Sequence, residues 1–77
     1  MVKAYCLIST DPGQTSAVLQ KLRTVEGIKS AEAVAGPFDI IACIEVDSLE
    51  KLTKIVFGEI RTFPGVTNTA TLIVFEF

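Results

Sequence analysis

The chain has 77 residues, half of them apolar (49%), with nine acidic against seven basic residues and a formal charge of −2. That describes one small folding domain, residues 1–77, without the Lys/Arg excess that nucleic-acid binding draws on. With no His, no Trp, and Cys6 and Cys43 far apart, imidazole catalysis, metal sites and redox dithiols fall away.

The elements follow in chain order. Residues 2–9 (VKAYCLIS) are β-branched, aromatic and aliphatic, and stop at the turn signal Thr10-Asp11-Pro12-Gly13. From Gln14 to Thr24 the apolar period changes, with Val18, Leu22 and Val25 on one helical face and Gly27 as its stop. Residues 28–35 read as a second strand, and Gly36-Pro37-Phe38-Asp39 as a turn. The clearest strand is 40–46 (IIACIEV). Asp47 and Ser48 offer caps for a second helix, with Glu50 placed to close a capping box on Asp47. Leu49, Leu52, Val56 and Ile60 mark its buried face, Pro64-Gly65 ends it, and 66–76 forms a long last strand.

The order is βαββαβ, and an internal echo supports it. At an offset of 38 positions Arg23-Thr24 falls on Arg61-Thr62, Gly27 on Gly65 and Ile28 on Val66. Two equal βαβ halves define the ferredoxin-like fold, in the α+β class. Right-handed crossovers give a four-stranded antiparallel sheet of order 4-1-3-2 with both helices on one face.

Alternation sorts the strands. Val2, Ala4, Cys6, Ile8, Ile40, Ala42, Ile44 and Val46 suit the face beneath the helices. The opposite set holds Tyr5, Leu7, Ile41 and Cys43, with Ile73 and Phe75 expected beside them. Such a face exceeds the roughly 300–600 Å² apolar patch of ordinary monomers. These six residues are therefore the expected homodimer interface, and the two cysteines, on opposite faces, are expected to be free.

Three stretches together resemble the regulatory (RAM) domain of the Lrp/AsnC family of amino-acid-responsive transcription regulators. They are Val34-Ala35-Gly36-Pro37-Phe38-Asp39, the strand and capped helix after it, and Pro64-Gly65-Val66-Thr67-Asn68-Thr69-Ala70-Thr71. The family pattern is a Gly-x-Tyr/Phe-Asp turn followed by Pro-Gly-Val-x-x-Thr-x-Thr leading into the last strand. The resemblance implies dimers of the α/β-barrel type, their assembly into octamers or similar rings, and an amino-acid effector held between dimers. It also implies that full-length regulators of the family are candidate partners. The family's winged helix-turn-helix is not expected, since Met1 opens the first regulatory strand.

Gly36, Phe38, Asp39, Thr69 and Thr71 are the expected ligand contacts. Asp39 can order the turn or meet an ammonium, and Thr69 and Thr71 point their hydroxyls to one face. Because the two motifs lie on opposite halves of the sheet, a neighbouring subunit is expected to complete the site. A non-enzymatic, cytoplasmic module follows, with no metal, cofactor, membrane or direct nucleic-acid contact. Met1 leads into strand without a basic n-region, and no run approaches the ~20 apolar residues of a membrane span.

The rival readings are a dimeric ferredoxin-like enzyme of the monooxygenase type and an assembly subunit without ligand. The monooxygenase type favours His, Trp or Asn in its pocket, and this chain offers only Asn68. An acylphosphatase-like site wants an Arg in the first loop, which Thr10–Gly13 does not supply. An RNA-recognition surface wants exposed sheet aromatics flanked by Lys or Arg, and the stretch 32–40 (EAVAGPFDI) supplies none.

Overall fold

A computed structural model describes residues 1–77. The strands are β1 (Val2–Thr10), β2 (Ile28–Ala33), β3 (Ile40–Val46) and β4 (Val66–Ile73). The helices are α1 (Thr15–Leu22) and α2 (Leu49–Gly58), with a single 3₁₀ turn at Ile60–Thr62. The sheet is antiparallel in the order β2-β3-β1-β4, which is the ferredoxin-like arrangement. No helix is long and apolar enough to cross a membrane.

Alternation builds the core. Ala4, Cys6, Ile8, Ile40, Ala42 and Ile44 are wholly buried on the helix-covered face. They meet Val18, Leu22 and Val25 from the first helical segment and Leu52, Ile55, Val56 and Ile60 from the second. Every one of the 15 buried residues is apolar, so the core carries no polar group needing a partner.

The halves match in backbone as well as sequence. Gly27 and Gly65 carry φ of 98° and 97°, each one residue before its strand. A Cβ at Gly27 would stand 2.8 Å from Ile55 Cδ1, and one at Gly65 2.7 Å from Gln14 Cβ. The left-handed turn favours glycine at both positions, and at Gly65 the approach of Gln14 Cβ adds crowding that a side-chain end cannot relieve.

Four expectations are corrected. Ser48, not Asp47, caps α2, its side chain accepting from the Lys51 amide at 3.2 Å, so Glu50 closes no capping box. Asp47 instead pairs with Lys51 at 3.0 Å, and that ammonium holds its carboxyl below the usual carboxylate range. Leu49 is exposed because it is the first residue of α2, at the helix end, while Ile55, three positions after Leu52, joins Leu52 and Val56 on the buried face. β2 ends at Ala33 and β4 at Ile73, and Phe75 lies beyond the last strand.

The fourth correction concerns which side β4 presents. Ile73 pairs with Ala4 and so shares the helix-covered side, whereas Leu72 pairs with Tyr5 and Ala70 with Leu7 on the open side. The run Leu72-Ile73-Val74-Phe75 is apolar at every position, so polarity could not reveal its parity. A register shift between Ser9 and Thr10 further displaces β4 by one residue at its start.

Candidate ligand-binding end of the sheet

The carboxyl end of β1 gathers the three loops that carry the sequence motifs. The 34–39 hairpin closes through Val34 N–H donating to the Asp39 carbonyl, 2.9 Å. It is fastened to β1 by Asp39 N–H donating to the Ile8 carbonyl, also 2.9 Å. Asp39 Oδ2 accepts from the Thr10 amide at 2.8 Å and from the Thr10 hydroxyl at 3.4 Å. The Thr10 and Thr15 hydroxyls lie 2.7 Å apart, reaching the first residue of α1. On the other side of β1, Asp11 N–H donates to the Gly65 carbonyl at 2.8 Å, and Thr10 pairs with Val66.

Beneath the hairpin is a groove of about 290 Å³ lined by Leu7, Val34, Ala35, Gly36, Pro37, Phe38 and Ile41. Leu7 and Ile41 are cross-strand partners on the open sheet face, so the groove opens there. No charged or amide side chain lines it. Gly36 has φ of 154° with open space around its Cα, so its conformation, not crowding, excludes other residues.

Thr69 and Thr71 lie elsewhere. They pair with Ile8 and Cys6, which places them on the helix-covered side, one strand beyond β1. The Thr71 hydroxyl donates to Cys6 Sγ at 3.9 Å. Burial pushes the Cys6 thiol up, and the Thr71 contact offsets this only in part. One subunit thus brings Gly36 and Phe38 together in the groove and turns Asp39 toward Thr10. It leaves Thr69 and Thr71 at the same end but on the opposite face.

Sequence reasoning missed Thr10 and Thr15. Thr10 was legible only as part of a turn signal, because its partner Asp39 is 29 residues away.

A larger concavity of about 440 Å³ opens at the other end of the sheet, over Gly27, Val46 and Ile55. Of its rim charges, Lys51 is engaged by Asp47 and Lys54 by Glu50, at 3.0 and 3.5 Å. The hairpin groove differs in being uniformly apolar and flanked by backbone hydrogen bonds that fix its hairpin, which favours it as a site.

The rest of the open face carries Tyr5, Leu7, Ile41, Cys43, Ala70 and Leu72 in facing pairs. Lys3 lies 5.6 Å from the Tyr5 ring centroid, and contact with Tyr5 chiefly holds its ammonium above the ordinary lysine value. Both cysteines are free, Cys6 buried and Cys43 half-buried on this face.

A βαββαβ sheet with one apolar open face and a grooved β2–β3 hairpin defines a small ferredoxin-like α+β domain. Residues 3–77 match the Lrp/AsnC ligand binding domain, and the chain belongs to that family. It is 32% identical over 75 residues to an HTH-type transcriptional regulator of Pyrococcus furiosus, covering 94% of this chain and 50% of that protein. The chain spans about half the length of the Pyrococcus regulators it matches. The crystal structure of FFRP-DM1 superposes with a TM-score of 0.93 at 33% identity, covering 97% of this chain and all (100%) of that one. A Neisseria meningitidis transcriptional regulator, solved as an L-Met complex, shares the fold at 14% identity and a TM-score of 0.87, covering 97% and 50% of the two chains. A homocitrate synthase of Sulfurisphaera tokodaii is 31% identical over 62 residues, which is 80% of this chain and 13% of that enzyme.

Proposed function

We propose that the chain is an effector-binding and oligomerisation module of Lrp/AsnC-type regulation, with an amino acid as effector. Membership of the Lrp/AsnC ligand-binding family carries this reading. The hairpin groove supports it: about 290 Å³ of apolar lining suits an aliphatic or thioether side chain better than a charged one. The Neisseria regulator of the same fold was solved with such an amino acid, L-Met. Asp39 already holds Thr10, so its primary role is to set the turn, with the ligand's ammonium left to backbone carbonyls or Oδ1.

Two copies pack through their open faces, burying Tyr5, Leu7, Ile41 and Cys43. Dimers assemble further into a ring, and a neighbouring subunit completes the ligand site, because Thr69 and Thr71 do not face the groove of their own subunit. Net acidity leaves DNA contact to helix-turn-helix regulators of the family, in the cytoplasm.

A thermal-shift screen of the twenty amino acids tests the reading, with light scattering alongside. At least one apolar amino acid should raise the melting temperature, since a ligand specific for the folded state stabilises it. Scattering should report a dimer or larger. If no amino acid shifts the transition at millimolar concentration, the assembly-only alternative takes its place.

A second reading has one observation behind it. The partial match to homocitrate synthase favours a module that also regulates biosynthetic enzymes by effector binding, with no catalysis of its own.

A further inference from the structure

We propose that Thr10 is a positioning residue that couples the 34–39 hairpin to the amino end of α1, so that occupancy of the groove is felt by that helix. The inference rests on the effector reading above and adds a route by which binding is transmitted.

The bonds form a continuous chain. Asp39 Oδ2 accepts from the Thr10 amide and hydroxyl, and the Thr10 and Thr15 hydroxyls share one hydrogen bond in which either can donate. The two hydroxyl links differ, 3.4 Å to Asp39 and 2.7 Å to Thr15. The longer one is the compliant joint that a ligand drawing the hairpin inward would tighten. At its other end the chain of bonds meets the first residue of α1, a helix anchored in the core by Val18 and Leu22. α1 has only eight residues, and its N-cap, Gln14, makes no side-chain capping bond. A helix this short is marginal alone, and the Thr10–Thr15 contact is its one side-chain hydrogen bond at that end.

Thr10→Val removes the hydroxyl while keeping the β-branched shape and the amide that Asp39 holds. Thr10→Ser retains the hydroxyl and should behave as the parent. Without ligand, urea midpoints of Asp39→Ala, Thr15→Val and the double variant should be non-additive, and additive when repeated on Thr10→Val. With the twenty amino acids as probes, amide NMR of the parent should show shifts in both the hairpin and α1. Thr10→Val should keep the hairpin shifts and lose those in α1, and Thr15→Val should do the same from the helix side. Additive midpoints in the parent, non-additivity that persists on Thr10→Val, or α1 shifts that survive both valine substitutions would overturn the coupling. Non-additive midpoints with no amide shifted by any amino acid would support the coupling and overturn the effector reading instead.

Discussion

Gly65 and Gly58 show how differently two glycines weigh in one small domain. At Gly65 a φ of 97° and a Cβ position 2.7 Å from Gln14 Cβ leave no relief for a side chain. Gly65→Ala should destabilise by about 1–3 kcal/mol in urea unfolding. Gly58, the last residue of α2, has nothing within 4 Å of an added Cβ and no positive φ. Gly58→Ala should therefore stabilise by about 0.4–1 kcal/mol in the same assay. The cysteines make a second contrast. Cys6 is buried with its thiol pushed up, and Cys43 is half-buried on the open face. A thiol reagent at neutral pH should modify Cys43 first, at a rate that rises on dilution as the copies separate, and reach Cys6 only at the unfolding rate. The sequence shows both glycines and both cysteines, and alternation alone separates Cys6 from Cys43. What it cannot show is the approach of Gln14 to Gly65, which exists only once the first loop folds over the second helix's exit.

Among the elements, legibility tracks the contrast between neighbouring positions. β3 runs over Ile40–Val46, as read, because one face is fully buried and the other is not. β4 defeats the same reasoning, since Leu72 through Phe75 offer no polar position to fix parity. The start of α2 is ambiguous for another reason: Asp47 and Ser48 are both good caps, and only the backbone, extended at Ser48 with φ −153° and ψ 157°, decides between them. Ser48→Ala should cost about 1 kcal/mol by urea denaturation. Glu50→Gln should leave the midpoint nearly unchanged, because its only partner is Lys54, 3.5 Å away on an exposed surface. A large loss from Glu50→Gln would restore the capping box that the geometry denies.

For the whole molecule, the orientation of β4 turns into a test of assembly. Leu72 is 53% exposed on the open face and Ile73 46% exposed on the other. If copies pack by their open faces, Leu72→Lys should shift light scattering toward the monomer, since a buried unpaired ammonium is costly. Ile73→Lys should leave the dimer intact. The reverse pattern would move the interface to the helix side of β4. At this scale the sequence carries the fold, because repeat, order and alternation agree. The candidate site is only partly legible. Gly36, Phe38 and Asp39 are local to one turn, but the groove also needs Leu7, and Asp39 needs Thr10, across distances no local pattern encodes.

Tyr5 lies in the middle of the open face, between Cys43 on one neighbouring strand and Leu72 on the other. It is the single tyrosine of a chain without tryptophan. Emission excited in the tyrosine band therefore comes from one ring at the proposed seam between copies. Dilution or an interface substitution that separates the copies should alter that ring's anisotropy and its quenching by solvent. The protein thus carries an intrinsic optical gauge of its own association, readable without a dye or an added label.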